Sequence, residues 1–483
     1  MQIIRKLGLI IFLGCLSLFI VLPFLGQYKL TESALNQTIT DQNHHQLLKP
    51  ALQTMMDKVY KSNSAFIADY NTALNGVNEE FKKKEQWDKV IYTDYSLTIV
   101  KNSSLGFVKD NTQMLFFICF ILSALGGLMY IVPALFIKPI AGIKNDDIFH
   151  KAITSQGIIA FIFAAGLIAF YIYLYKAPAY ISNWIILVDD LSYTISGSEA
   201  SQWFLYGFLY CLVMTVMAVR MYIKYRNNTY QIVRTSSVLF FQIAFAFLIP
   251  NIMSKLMLPS MDFKNMWPLD YSFFFDYRLD SLLSSGMLGY WMLGWGIFLF
   301  VVGVPVMVYF FGKRWYCSWV CGCGGLAETL GDPYRQLSDK RLIAWKIERW
   351  TIYPILIFAI LMTIVVGYNT YNIVYNPLKI GDNSLFGINA YKINEIYGFL
   401  IGSIFAGVIG TGFYPILGNR SWCRFGCPLA AYMGIIQRFK SRFRITTNGA
   451  QCISCGNCST YCEMGIDVRA YAQKGENIIR SSC

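Results

Sequence analysis

Eight apolar blocks of about twenty residues constrain the fold of this chain more than any other feature of its sequence. A helix of about 20 apolar residues crosses the hydrocarbon core of a bilayer, so each block predicts one membrane-spanning helix. Only 14% of the 483 residues are charged, fewer than in a typical soluble protein. We therefore predict an all-α polytopic membrane protein, with blocks at 7–25, 114–136, 158–175, 204–219, 238–258, 287–311, 352–371 and 399–417.

The formal charge of +13 is distributed in a way that predicts the orientation of these helices. Basic residues dominate the segments after the fourth and eighth blocks, whereas acidic residues dominate 187–199 and 261–280, which are predicted to be outside loops. Cytoplasmic loops carry the excess of lysine and arginine in membrane proteins. We therefore predict that both termini are cytoplasmic and that the chain lies in the cytoplasmic membrane of a bacterium. The bilayer accounts for the charge, and no nucleic-acid partner is predicted.

Near the C-terminus, Cys452, Cys455, Cys458 and Cys462 follow the spacing C-x2-C-x2-C-x3-C. In an irregular loop, three such cysteines can wrap one [4Fe–4S] cube while the fourth reaches toward a second site. Zinc is the alternative metal, but zinc sites usually take two cysteine pairs separated by a longer stretch of chain. The run departs from the bacterial ferredoxin pattern at Glu463, where proline is usual. The spacing predicts an iron–sulfur tail.

Cys483 is the last residue of the sequence and leaves the number of cubes open. It could open a second ferredoxin run in a chain that continues further. Alternatively, it could be the distal fourth ligand of a single cube. The tail is therefore expected to hold one or two [4Fe–4S] clusters.

Two further cysteine pairs follow the sixth and eighth blocks, in "GKRWYCSWVCGCGG" and "GNRSWCRFGCPLAA". The two stretches align without gaps, with every matched pair 106 residues apart, which indicates a duplicated unit. The i, i+4 spacing predicts that Cys317 and Cys321 share one helical face, as do Cys423 and Cys427. Four thiolates from two such pairs could hold one more iron–sulfur cluster. The pairs could instead be reduced, inert thiols, and Cys323 could be a fifth ligand, an alternative ligand or a spectator.

Cysteine placement favours ligation over disulfides. Ten of the thirteen cysteines lie on the predicted cytoplasmic side, which is reducing. The other three, Cys15, Cys119 and Cys211, lie within apolar blocks and are expected to be small apolar fillers.

The chain divides into five expected segments. The first is an anchor that follows Arg5 and Lys6 without a small-residue cleavage site. The second is a small extracytoplasmic domain, in which apolar residues at helical spacing predict a helical hairpin. The segments are the anchor at 1–27, the outside domain at 28–112, helices two to five at 113–285, the duplicated unit at 286–444 and a ferredoxin-like cytoplasmic tail at 445–483.

The motifs "CSWVCGCGG", "CRFGCPLAA" and "CISCGNCSTYC" together resemble those of the membrane polyferredoxins. That family includes the membrane quinol dehydrogenase subunit of periplasmic nitrate reductase, the nitrous-oxide-reductase regulator and the assembly protein of cbb3-type oxidase. The resemblance covers roughly 286–483. The family repeats C-x3-C-P twice, and here only Cys427 keeps the proline. The resemblance implies electron movement between a quinone pool or cytoplasmic donor and a redox partner.

Other cofactors lack sequence support. His44, His45 and His150 all lie outside the predicted spans, so no haem held by two histidines is expected within the bilayer, and no C-x-x-C-H motif predicts a c-type haem. The flavin-attachment motif of the regulator branch and Gly-rich nucleotide loops are also missing. Gln242, with Pro250 and Asn251, could line a quinone pocket or simply form a kinked helix with an interhelical hydrogen bond.

The favoured function is an integral membrane iron–sulfur protein that relays electrons between a quinone pool or cytoplasmic donor and a redox partner, as an oxidoreductase subunit would. One alternative is an accessory factor for metalloenzyme assembly. Another is a redox-sensing membrane protein. Homo- or hetero-oligomers are compatible with each, and the basic run "RFKSRFR" could contact anionic lipid or an acidic carrier.

Overall fold

The computed structural model describes residues 1–56, 58–137, 153–375, 384–385 and 388–479, and these residues are largely helical. Both His150 and Cys483 lie outside the described residues. Eight described helices are long and apolar enough to cross a membrane. In chain order, spans 1 to 8 are Gln2–Phe24, Thr112–Ala134, Ile158–Lys176, Gln202–Lys224, Thr229–Lys255, Met287–Phe311, Leu342–Tyr368 and Lys392–Ile409. The prediction of a mostly helical, multi-pass membrane protein is confirmed.

Residues 1–137 and 172–212 form one compact unit, here called unit 1. Beside its apolar helices it contains shorter ones, and Gln27–Tyr28 pairs antiparallel with Ser104–Leu105. Thr31 and Ser62 begin two of the helices by accepting a backbone N–H, as N-cap residues do. The shorter helices are Glu32–Thr38, Gln42–Met56, Asn63–Lys83, Ser96–Asn102, Phe107–Asp110, Ser182–Ile186 and Asp189–Ser196, with single turns at Leu22–Phe24, Trp87–Lys89 and Pro178–Ile181.

The apolar face of Asn63–Lys83 supplies much of the core of unit 1. Phe66 and Tyr70 are fully buried there against Tyr28 and Leu52, as the helical period predicts. His44 and His45 point to different partners, the hydroxyl of Tyr95 and the amide oxygen of Asn36. The histidines thus have ordinary hydrogen-bonding roles in this unit.

Residues 178–200 also belong to this core, which the sequence did not indicate. Asn63 Nδ2 donates to the carbonyl oxygen of Ala179 at 2.9 Å. Lys101 is buried, and its Nζ lies 2.8 Å from Asp189 Oδ1 and 2.9 Å from the carbonyl oxygen of Ala200. The predicted hairpin is therefore a larger helical bundle completed by a distant segment.

Residues 138–171 and 213–483 form the second compact unit, unit 2. Its helices outside spans 3 to 6 begin and end at Asp276–Ser284, Arg314–Trp319, Gly322–Thr329, Asp332–Leu337, Leu342–Tyr375, Ala390–Tyr397, Tyr414–Leu417, Ser421–Phe425, Pro428–Lys440, Gly449–Gln451, Asn457–Tyr461 and Val468–Lys474. A strand pair joins Ser384–Leu385 to Ile388–Asn389. Span 8 continues from Ala390–Tyr397 into a π-helical stretch at Gly398–Ile409.

Part of the acidic stretch 261–280, predicted to be an outside loop, inserts among the helices of unit 2. Met266 is buried in one cluster with Val304 and Val308, which lie near the C-terminal end of span 6. The Tyr316 hydroxyl, which follows that end, donates to the carbonyl oxygen of Lys264 at 2.8 Å. Non-helical backbone at this depth is tolerated where protein surrounds it. The stretch is thus an inserted segment rather than a simple surface loop.

The Lys101–Asp189 pair predicts a stability change in unit 1. Lys101→Met keeps the length of the side chain but leaves the buried Asp189 carboxylate without its cation, which should lower the free energy of unfolding by about 3 kcal/mol. Hydrogen exchange of amides in Asn63–Lys83 should accelerate accordingly. Lys49→Met is the control, because Lys49 pairs with Glu32 at an exposed position. Equal exchange in the two variants would contradict the assignment.

Candidate iron–sulfur sites

The two copies of the duplicated motif adopt the same sequence of local structures. Each begins with a glycine at positive φ, Gly312 at 71° and Gly418 at 86°, which ends the preceding helix. A short helix then carries the first cysteine of the pair, at Arg314–Trp319 or Ser421–Phe425. A second helix follows at Gly322–Thr329 or Pro428–Lys440. The repeat in sequence is therefore a repeat in structure.

The two cysteines of a pair do not share one helical turn, although their spacing had predicted it. The backbone of Val320 leaves the helical conformation between Cys317 and Cys321. Cys321 and Cys427 then occupy the residue just before the second helix, with extended backbone. The Sγ of Cys427 accepts the N–H of Ala430 at 3.4 Å, so it also caps that helix. An i, i+4 pair alone does not reveal such a break.

Four thiols from the two copies converge in one buried cluster of unit 2. Cys317, Cys321, Cys423 and Cys427 are each no more than 6% exposed and share a core with Trp422. The thiol of Cys317 donates a hydrogen bond to Cys423 across the two copies. Cys321 and Cys427 both interact electrostatically with Cys423. We call this group the four-cysteine site.

The donor set of the four-cysteine site suits a thiolate-bound cluster. Among the described residues, no group of Cys, His, Asp or Glu is arranged to hold a single metal ion. A four-iron cube is larger than one ion, so its four ligands need not meet at one point. Cys323 lies beside the site, where it hydrogen-bonds with Cys321. Its role as a ligand remains a prediction.

Electrostatics distinguish Cys423 from the other thiols. The pKa of Cys423 is lowered to about 6, first by the hydrogen bond from Cys317 and then by the guanidinium of Arg420. The hydrogen bond to Cys423 and burial together raise the pKa of Cys317 well above its ordinary value. Cys423 is thus the most readily ionised of the four, and metal binding requires thiolates.

A buried network of charges surrounds the four-cysteine site. Arg314 and Arg420, at equivalent positions in the two copies, both pair with Glu328 and Glu463. Other cations approach the same carboxylates or Asp332. The full set of pairs joins Glu328 to Arg234, Arg314, Arg335 and Arg420, Glu463 to Arg314, Arg335 and Arg420, and Asp332 to Arg220, Lys224 and Arg335.

Arg420 links this network to the thiols. Its side chain is only 1% exposed. Nη1 lies 3.9 Å from Cys423 Sγ and 3.4 Å from the carbonyl oxygen of Cys317. Nε lies 3.3 Å from Glu463 Oε2, and Nη2 contacts Glu328. One guanidinium therefore contacts both cysteine pairs and both carboxylates.

The tail motif forms a compact turn against the same unit. Cys452 and Cys455 lie on irregular backbone, Cys458 lies in the helix Asn457–Tyr461, and Cys462 follows it. Gly456, at a φ of 78°, permits the turn between them. Cys455 and Cys458 are exposed, and the Sγ of Cys462 accepts the N–H of Ile466 at 3.4 Å. The tail cysteines thus lie nearer the surface than those of the four-cysteine site.

The structure gives contacts around the sites that the sequence did not assign, and one residue there, Glu328, was missed altogether. Gln242, a candidate for a quinone pocket, instead donates from Nε2 to the carbonyl oxygen of Val320 at 2.6 Å and so supports the turn before Cys321. Asn251 donates within its own helix, to Phe247. Nothing in the sequence marked Glu328 as a residue of the site. Glu463 was marked, because it stands where a ferredoxin run has proline.

A family model described as a 4Fe-4S binding domain matches the chain twice, over residues 293–342 and 397–446. Each match includes one cysteine pair of the four-cysteine site, and the tail run lies beyond both. The two matches confirm the duplication.

Two curated relatives are similar to part of the chain. YccM of Escherichia coli (strain K12), named for electron transport, is 24% identical over 164 residues, or 32% of this chain and 43% of the relative. MauN of Methylobacillus flagellatus, named a methylamine utilization ferredoxin-type protein, is 24% identical over 185 residues, or 38% of this chain and 58% of the relative. The chain thus spans less than two thirds of either relative. No solved structure matches the chain with statistical significance.

These findings confirm the resemblance to the membrane polyferredoxins. The chain matches the family model of a 4Fe-4S binding domain at two places, and the two relatives are named for electron transport and for a ferredoxin type.

The turn between the two short helices of the first copy leaves no room for a side chain at Gly324. A Cβ added at Gly324 would lie 1.5 Å from the carbonyl oxygen of Cys317, so Gly324→Ala must move the first cysteine pair. Protein purified without oxygen should then lose about four iron atoms per chain, those of one cube, with the iron of the tail kept. Gly294→Ala is the matched control, because its Cβ meets nothing within 4 Å. Unchanged iron and sulfide in Gly324→Ala would contradict this arrangement.

Proposed function

We propose that this protein is a membrane-bound iron–sulfur relay, which passes single electrons between its cytoplasmic tail and a quinone or redox protein. The observation that carries the proposal is the convergence of two duplicated cysteine pairs within unit 2 of a chain with eight apolar helices, with a third cysteine run docked on the same unit. The clusters would supply reversible one-electron chemistry when bound.

The tail cysteines are proposed to hold one [4Fe–4S] cluster. Cys452, Cys455 and Cys458 would wrap it, with Cys483 as the distal fourth ligand if the tail holds a single cube. If Cys483 instead opens a second run, Cys462 would reach toward a second cube. Their exposure suits exchange of electrons with a donor in the cytoplasm. This assignment also places both termini and the basic segments on the cytoplasmic side.

The four-cysteine site is proposed to hold a second cluster, with Cys317, Cys321, Cys423 and Cys427 as ligands. Burial excludes water from it, and Arg420 and Arg314 supply positive charge beside the thiolates. Both features tune an iron–sulfur potential. A buried, positively surrounded site next to apolar helices is suited to pass electrons on toward the membrane.

The remaining segments are proposed to support this relay. The bundle of 28–112 with 178–200 would lie outside the membrane, where a redox partner could dock. The inserted part of 261–280 reaches Tyr316, the neighbour of Cys317, and so offers a path toward the opposite side. The acceptor is proposed to be a quinone or a partner protein, with the lipid bilayer around the spans.

Cysteine substitutions separate the two proposed clusters. Cys455→Ser should abolish the reduced-state EPR signal of the tail and leave that of the four-cysteine site, and Cys423→Ser should do the reverse. Each substitution should lower the iron content by about four atoms per chain and the acid-labile sulfide content by about four, which is the content of one cube. Cys211→Ser serves as the control, since that cysteine lies within span 4. Zinc in place of iron, or loss of both signals from either change, would overturn the two-site model.

Electron delivery provides the functional test. Oxygen-protected protein in lipid vesicles, reduced through a soluble low-potential dye, should reduce a quinone analogue in the bilayer. Cys455→Ser and Cys423→Ser should each slow that transfer at least about tenfold, because each interrupts the series. Transfer at the rate of the unaltered protein in both variants would show that the clusters do not lie on the path.

A further inference from the structure

Glu463 connects the tail run to both copies of the duplicated motif. It directly follows Cys462, and its side chain is buried in unit 2. Its Oε1 contacts Arg314, and its Oε2 lies 3.3 Å from Arg420 Nε. Asn419 Nδ2 donates to the same Oε2 at 3.2 Å. One carboxylate in the tail thus receives an arginine from each copy.

The backbone beside Glu463 is fixed as well. Ser338 Oγ donates to the carbonyl oxygen of Glu463 at 2.6 Å. Gly465, two residues on, has a φ of 65°, and a Cβ there would lie 2.2 Å from Arg424 Nη1. Main chain and side chain are therefore both held at the point where the cysteine run ends.

The contact leads from one cysteine set to the other. Cys462 is joined to Glu463 by a peptide bond, Glu463 pairs with Arg420, and Arg420 Nη1 lies 3.9 Å from Cys423 Sγ. A carboxylate and a guanidinium thus span the interval between a tail cysteine and a buried one. A proline at position 463, as in ferredoxin runs, would offer no group to make this connection.

We propose that Glu463 is a positioning residue that holds the tail cysteine run at a fixed separation from the four-cysteine site and thereby sets the rate of electron transfer between them. The proposal rests on the relay proposed above, in which one cluster loses an electron as the other gains it. The carboxylate itself exchanges neither electron nor proton, because it stays ion-paired throughout. Its part is geometric, and a buried ion pair is suited to fix a single register.

The matched test compares Glu463→Gln with Glu476→Gln. Both remove one negative charge from the tail, but Glu476 is exposed and lies away from this contact. Both variants should bind iron and sulfide like the unaltered protein. In Glu463→Gln alone, the magnetic interaction between the two reduced clusters should weaken, and the transfer rate between them should fall at least about tenfold. Glu463→Asp, which keeps the charge, should recover part of both.

Proteolysis of metal-free protein supplies a readout that does not need the clusters. Release of the tail from 445–479 by a protease should be several-fold faster in Glu463→Gln than in Glu476→Gln, because the docking contact is lost. Equal proteolysis rates, or cluster coupling and transfer within twofold of the unaltered protein, would overturn the role of Glu463. Absence of iron from the unaltered protein would instead overturn the relay, and the proteolysis result would still decide whether the residue docks the tail.

Discussion

The buried ion pairs between arginines and carboxylates beside the four cysteines are the interaction on which unit 2 depends. Three carboxylates, Glu328, Asp332 and Glu463, are surrounded by six cations in the described part of the chain. Taking so many charges out of water is costly unless each is paired. The cations exceed the carboxylates, and one of them, Arg420, lies directly against the thiol of Cys423. A thiolate-bound cluster, which is anionic, would complete the balance.

This balance explains why the cysteine pairs and the tail fold as one unit. Glu328 stands in the helix that begins just after Cys321, so the first copy supplies a carboxylate for the arginines of both copies. Glu463 supplies the other from the tail. Removing either would leave the shared arginines with one carboxylate fewer, which weakens the network. The network therefore couples the packing of the duplicated helices to the docking of the tail, and the charge that stabilises the fold is the same charge that would tune a cluster.

Much of this arrangement could be predicted from the sequence, because it depends on patterns that repeat. Apolar length predicted eight helices, and a constant offset between two cysteine pairs predicted a duplicated site. Single features were harder to predict. The spacing of Cys317 and Cys321 fits a helix as well as it fits the break at Val320. The acidic composition of 261–280 gave no sign that Met266 is buried, and Glu328 lies in a helix with no motif. Glu463 did stand out, because it replaces the proline of ferredoxin runs. Its role became clear only from its contacts with Arg314 and Arg420 in the structure.

The two copies have also diverged in what they contact. Lys313 and Asn419 are equivalent, yet the N–H of Lys313 donates to Gln437, whereas the side chain of Asn419 donates to Glu463 of the tail. The first copy instead meets the inserted segment through Tyr316. Both copies reach Glu463 of the tail through an arginine, but the second copy adds the amide of Asn419, and the first adds the contact with the inserted segment. The four cysteines are therefore alike in chemistry but unlike in their surroundings. A relay that accepts electrons on one side and passes them on from another would require such a difference.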